Sequence, residues 1–80
     1  MTSLIVSENL WRSTMLPEGV LERWHVLDGA DVRRGAPLCD LLIEGSRQMV
    51  TAPADGRVTL FVRDGEVIEP GRLIGVVGLP

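Results

Sequence analysis

The sequence predicts an all-β fold, a flattened barrel or sandwich of many short strands. Nine glycines and five prolines separate apolar runs of four to six residues, which leaves no room for a helix of ten residues. One β unit also occurs twice, at a constant offset of 36 residues. The repeat pairs Asp28-Gly29 with Asp64-Gly65, Val32 with Ile68, Gly35 with Gly71, and Leu38 with Ile74. Packing one unit on the other would bury the apolar face of each.

The first seventeen residues contain one strand and an irregular segment. We expect a strand in residues 1–7, around the β-branched run Leu4-Ile5-Val6. Residues 8–17 have no clear period, and Trp11 and Met15 are their candidate core anchors. The turn Pro17-Glu18-Gly19 then leads into the repeat.

Residues 20–26 alternate with period two and predict a second strand. Val20, Trp24 and Val26 share one face with Glu22, and this mostly apolar face is expected to point inward. Leu21, Arg23 and His25 fall on the other face, which places His25 in solvent. A helix over residues 19–27 is the alternative, but its shortness and its flanking Gly and Pro residues favour a strand.

Four further strands are expected, with turn residues between them. The expected strands are Leu38–Ile43, Gln48–Thr51, Val58–Val62 and Leu73–Val77. The first two flank a polar turn and predict an antiparallel hairpin. Eighty residues make one domain at most, and we expect it to span residues 1–80.

Composition excludes several classes of function. The net charge of −3 disfavours nucleic acid, because phosphate contacts need clustered basic residues. No apolar run approaches the 18 or so residues of a membrane span, and the N-terminus lacks the pattern of a signal peptide, so we expect a cytoplasmic protein. A single cysteine, Cys39, and a single histidine provide neither a disulfide nor a metal-ligand set. Cys39 is expected to be a small core or edge residue, and nothing in the sequence indicates catalysis.

An ordered set of residues resembles the lipoyl domains of the biotinyl/lipoyl-attachment family. The resemblance covers residues 10–78 and implies a barrel-sandwich hybrid of two four-stranded antiparallel sheets with quasi-two-fold symmetry. Its first half rests on Trp11 to Met15, Glu18-Gly19-Val20, Trp24, Val26, Gly29, Val32, Gly35 and Pro37-Leu38. Its second half rests on Ala52-Pro53, Gly56, Val58, Gly65-Glu66, Ile68, Gly71 and Ile74.

The sequence departs from this family at the central hairpin. In the family, one lysine at the turn carries lipoate or biotin through an amide and moves substrate between active sites. Counting from Gly35 and from Gly56 places Gly45 at the position of that lysine and Glu44 before it. A shift of two residues would place Arg47 there, but a guanidinium stays protonated and does not form the amide. The sequence contains no lysine, since its eight basic residues are all arginine.

The resemblance without the lysine predicts a non-catalytic binding or docking module that carries no cofactor as it stands. Its partner would be a subunit of a 2-oxo acid dehydrogenase or a biotin-dependent carboxylase. The expected partner-binding residues are Glu44, Gly45, Ser46 and Arg47; a plain solvated turn, with glycine chosen for positive φ, is the structural alternative. The functional alternative is a lipoyl or biotinyl carrier domain of an acyltransferase or carboxylase. A module of a membrane-fusion adaptor ranks lower, because residues 44–47 contain no inserted helical hairpin.

Overall fold

A computed structural model describes residues 1–12 and 18–79. The proposed core anchor Met15 and the turn residue Pro17 lie outside the described residues. The strands are β1 (Thr2–Ile5), β2 (Gly19–Trp24), β3 (Asp31–Val32), β4 (Pro37–Ile43), β5 (Ser46–Thr51), β6 (Gly56–Leu60) and β7 (Leu73–Gly78). A three-residue 3-10 helix, Glu8–Leu10, follows β1. The predicted all-β fold class is confirmed.

The strands form two antiparallel sheets. One has the order β1-β7-β6-β3 and the other the order β2-β4-β5. The expectation of two four-stranded sheets is therefore wrong for the second sheet, as far as the described residues show. Its fourth position is taken by one isolated bridge between Val20 and Val67. A bulge between Leu21 and Arg23 interrupts the pairing of β2 with β4 on its other side.

The 36-residue repeat of the sequence is also a repeat of the fold. The offset of 36 residues relates β2 to β6 and β4 to β7. In the first sheet, β6 lies between β7 and β3. In the second sheet, β2 lies between β4 and the bridge residue Val67. Val67 lies 36 residues after Asp31, the first residue of β3. Strands β1 and β5 take the equivalent edge positions. The two sheets are thus related by quasi-two-fold symmetry.

Two Asp-Gly turns connect the units reciprocally. The backbone N–H of Leu60 donates to the Asp28 carboxylate, and that of Trp24 donates to the Asp64 carboxylate, both at 2.9 Å. Leu60 lies 36 residues after Trp24, and Asp64 lies 36 residues after Asp28, so the two bonds are equivalent in the repeat. Next to them, the N–H of Gly29 donates to Val58 and that of Gly65 to Leu21. Each turn therefore closes on a strand of the other unit.

The core lies between the two sheets. Its fully or nearly buried residues are Leu4, Val6, Trp11, Leu21, Val32, Leu38, Cys39, Leu41, Ile43, Ala52, Val58, Val62, Ile68, Ile74 and Val77. The core positions predicted for Trp11 and Cys39 are confirmed, while Trp24 is only partly buried and packs against the cluster. The Trp11 indole donates to the carbonyl of Glu18 and packs over Gly19. A Cβ at Gly19 would lie 2.7 Å from that indole, so only glycine fits there.

The inward face predicted for β2 is wrong at its centre. Leu21, which was expected outside, is completely buried, whereas Val20 and Glu22 are half-buried. The bulge after Leu21 shifts the alternation by one residue and returns Trp24 to the core side. Strict period two holds only for a strand without a bulge.

Strand β6 also differs from its expected bounds, since it covers Gly56–Leu60 and not Val58–Val62. Beyond Leu60, the Phe61 N–H still donates to the Ile74 carbonyl at 2.9 Å, whereas Val62 bonds to a side chain. The Val62 carbonyl accepts from the Trp24 indole N–H at 2.8 Å, although the Val62 side chain stays buried.

We predict that Asp64→Ala lowers the free energy of unfolding by about 1 kcal/mol, because the Trp24 N–H loses a charged acceptor. Urea denaturation of the purified domain measures the change. Asp31→Ala is the matched control: its side chain is 73% exposed and lies 3.6 Å from the Arg57 Nε atom, its one ion pair among the described residues. We expect that control to stay within about 0.5 kcal/mol of wild type. Equal losses in both variants would contradict a special role for the Asp-Gly turn.

Candidate functional site

A two-residue turn closes the β4–β5 hairpin. Ile43 and Ser46 form the last pair of the ladder, and Glu44 and Gly45 connect them. Their φ angles are 51° and 82°. Positive φ at both central positions is typical of a type I′ turn, whose twist matches that of antiparallel strands. Among the described residues, Glu44 is the one non-glycine residue with positive φ.

Contacts with the segments before β2 hold the turn in place. The Glu44 Oε1 atom accepts from the backbone N–H of Arg12 at 2.6 Å. The backbone N–H of Glu44 donates to the carbonyl of Glu18 at 3.3 Å. Because these partners lie more than twenty residues away in sequence, the tertiary fold fixes the turn. A recess of about 110 Å³ lies beside it, with Ser46 and Gln48 in its lining.

Arg47 is an exposed cation at the tip. Its Nε atom lies 2.8 Å from the Glu22 Oε1 atom, and this contact is both a hydrogen bond and an ion pair. The Glu22 carboxylate raises the pKa of Arg47 above its ordinary value. The arginine side chain is 64% exposed, so solvent screens the pair and its main effect is to orient the guanidinium.

Gly45 is fully open to solvent space. A Cβ built on its backbone would meet no atom within 4 Å. A longer side chain at this position would therefore project from the tip without contacting the sheet, although positive φ would strain it. The residue present supplies no amine and no other nucleophile.

The structure brings all four predicted partner-binding residues to one tip: Glu44 and Gly45 in the turn, and Ser46 and Arg47 at the start of β5. It adds two residues that the sequence analysis missed, Arg12 through its backbone N–H and Glu22 through its carboxylate. Glu22 did carry a signal, as a charged residue inside a mostly apolar strand face. Arg12 lies in an irregular segment and carried none.

Other reactive side chains lie away from the tip. The Nε2 atom of His25 lies 3.1 Å from the Asp40 carboxylate, with one quarter of the histidine side chain exposed. Within residues 1–12 and 18–79, no group of three or more His, Cys, Asp or Glu side chains could hold a metal ion. The same residues include no helix of the length and hydropathy that a bilayer span requires.

Cys39 is completely buried in β4. Burial, together with the nearby negative charges of Asp40 and Asp64, raises the pKa of its thiol to about 12. The thiol therefore stays protonated, and unreactive as a nucleophile, at physiological pH.

One comparison with known proteins identifies the fold. The structure matches the solution structure of the lipoyl domain of the 2-oxoglutarate dehydrogenase complex from Azotobacter vinelandii with a TM-score of 0.79. The match covers 98% of this chain and 96% of that chain, at 20% sequence identity. No protein-family model matches the sequence, and no curated protein matches it either. The chain thus has a lipoyl-domain fold, at low sequence identity to that domain.

We predict that stability falls as the pH rises from 9.0 towards 12, because the folded protein keeps the Cys39 proton that the unfolded chain loses. Between about pH 8.5 and pH 10 the free energy of unfolding should fall by about 1 kcal/mol. Urea denaturation at each pH measures it. The sequence contains no lysine or tyrosine to titrate in this range. Cys39→Ala should therefore abolish the pH dependence, and a slope that survives in this variant would contradict the assignment.

We also predict that Gly45→Lys folds normally, with a loss of about 1 kcal/mol from the positive φ alone. Gly75→Ala is the contrasting variant, since its Cβ would lie 2.5 Å from the backbone oxygen of Thr59. That variant should lose more stability than Gly45→Lys despite its smaller side chain. Thermal or urea denaturation of both measures the order, and the reverse order would show that the tip is not open.

Proposed function

We propose that this domain is a non-catalytic docking module, which uses the hairpin tip of a lipoyl-domain fold to bind a protein partner without carrying a prosthetic group. The partner would be an enzyme subunit that recognises lipoyl domains, in a 2-oxo acid dehydrogenase system or, less directly, a biotin-dependent carboxylase. The observation that carries the proposal is a tip that is fixed by long-range contacts but has Gly45 at the turn position expected for the attachment residue.

The chemistry of attachment supports a role other than that of a carrier. Lipoate and biotin are held by an amide to a lysine amine, and the 80 residues contain no lysine. Arginine cannot replace it, because its guanidinium is protonated at any ordinary pH. A swinging arm is therefore not available to this chain.

The organisation of the tip supports binding. Arg47 and Glu22 form a polar pair on the outer face of the β2-β4-β5 sheet, and the Glu44 carboxylate is already placed by the Arg12 backbone. A partner that binds this surface would have little side-chain freedom left to restrict, which lowers the entropic cost of association. Charged groups arranged in this way favour specificity and the rate of association more than raw affinity.

The lipoyl-domain fold supports the choice of partner. The structural match is to a domain of the 2-oxoglutarate dehydrogenase complex, at an identity that establishes the fold alone. A domain of that shape without the lysine could occupy the partner surface that true lipoyl domains use. Competition with those domains is the simplest role of such a module.

The alternative is a carrier domain of an acyltransferase or carboxylase. The mass of the protein isolated from its own cells decides between the two. We expect the peptides that cover the hairpin, residues 37–51, to have their unmodified masses, and an added lipoyl or biotinyl group would establish the carrier.

The binding test uses calorimetric titration of the domain into the decarboxylating component of a 2-oxo acid dehydrogenase from the same organism, and separately into its biotin carboxylase. We predict saturable binding to the first enzyme, weakened about fivefold by Arg47→Ser. Arg57→Ser is the matched control: Arg57 is 55% exposed and contacts Asp31 on the other sheet. Binding to neither enzyme, or equal weakening by both variants, would overturn the proposed function.

A further inference from the structure

A second surface of the domain lies far from the hairpin tip, between the two Asp-Gly turns. It is a groove of about 610 Å³, called here the Asp-Gly groove, and it is lined by Trp24, Leu27, Asp28, Leu60, Phe61 and Asp64 among others. Trp24 and Leu60 are equivalent in the repeat, as are Asp28 and Asp64, so the groove lies across the quasi-two-fold axis.

Strand β2 separates the groove from the tip. Its first residue, Gly19, pairs with Ile43 beside the turn, and its last residue, Trp24, pairs with Cys39 and lines the groove. Five residue steps along a strand span about 17 Å. A partner bound at the tip would therefore leave this groove accessible.

The groove displays apolar and aromatic side chains to solvent. Leu27 is 82% exposed and Phe61 is 51% exposed. The whole sequence has three aromatic residues, and Trp24 and Phe61 are two of them. Trp24 is partly buried, and its indole N–H is held by the Val62 carbonyl at 2.8 Å, which fixes the ring. A rigid aromatic surface of this kind accommodates an apolar or cationic side chain.

The charges of the groove are mostly negative. Asp28, Asp64 and Glu66 line it, against the single cation Arg63. Glu66 is partly compensated, because its Oε2 atom lies 3.7 Å from the Arg72 guanidinium. Asp28 and Asp64 each use one oxygen to accept a backbone N–H, and no arginine of the described residues forms an ion pair with either. The carboxylates of Asp28 and Asp64 thus face the groove without an arginine partner among the described residues.

We propose that the Asp-Gly groove is a second docking surface, and that its occupant is a protein segment in which an arginine or lysine stands beside a large apolar residue. The basic side chain complements Asp28 and Asp64 and stacks on the aromatic rings. The apolar residue covers Leu27 and Phe61. The groove is independent of the proposed function, because none of its residues belongs to the tip.

The test is an NMR titration of the ¹⁵N-labelled domain with three capped octapeptides, which alternate arginine with leucine, arginine with serine, and glutamate with leucine. We expect the first peptide alone to shift the backbone signals of residues 24–28 and 60–66 at low salt. Of the two tryptophan indole signals, that of Trp24 should move and that of the buried Trp11 should not. The signals of residues 44–47 should stay in place, which separates this surface from the tip.

Three variants identify the interactions. Phe61→Ser should weaken binding of the first peptide about fivefold, whereas Met49→Ser, a residue of similar exposure on β5, should not. Asp28→Asn keeps an oxygen that accepts the Leu60 N–H but removes the charge, and it should weaken binding by a similar factor. Asp31→Asn is its control.

Several results would overturn the proposal. If the arginine-serine peptide bound equally well, the net negative charge of the domain would be enough to explain binding. If the glutamate-leucine peptide bound equally well, apolar contact by itself would be enough to explain binding. Shifts centred on residues 44–47, or the absence of any shift at millimolar peptide, would show that the groove has no affinity for such a segment.

Discussion

The reciprocal contacts of the two Asp-Gly turns are the constraint on which the rest of the structure depends. Each turn gives its carboxylate to a backbone N–H of the other unit, and each closes a hydrogen bond from its glycine to a strand of that unit. The two sheets are thereby fixed relative to each other at the quasi-two-fold axis. Apolar packing is not directional, so it could not set that relation by itself. In a chain of 80 residues with a small core, a few directional contacts decide which packing is unique.

The candidate site also depends on contacts between distant segments, because these contacts hold an exposed turn on a rigid sheet. The hairpin turn is displayed by β4 and β5, but its orientation comes from Arg12, Glu18 and Glu22, which lie on other segments. This arrangement would suit a swinging arm, because a rigid base keeps the arm clear of the sheet. With Gly45 in the turn and no lysine in the sequence, the rigid base remains without the arm. The proposed docking role therefore rests on the polar surface of the tip, whose geometry these contacts fix.

Much of the architecture could be predicted from turn residues and the repeat. Asp28-Gly29 and Asp64-Gly65 marked turns correctly, and the apolar runs located all of the longer strands to within two residues. The errors arose where a strand was irregular. The bulge in β2 buried Leu21 against the expected alternation, and the same strand keeps a single bridge to Val67 where a fourth strand was expected. A bulge depends on how neighbouring strands meet, and sequence alternation does not record it.

The sequence by itself determined the fold class, the repeat, the position of the hairpin turn and the absence of an amine for attachment. These are local or compositional properties: glycine supplies positive φ, alternation defines a strand, and lysine is either present or not. Only the tertiary structure decided which distant groups meet. It joined Glu44 to Arg12 and Glu22 to Arg47 at the tip, and it gathered Trp24 and Phe61 beside the two Asp-Gly turns. Contacts of this kind depend on the packing of one unit on the other, and no local pattern specifies them.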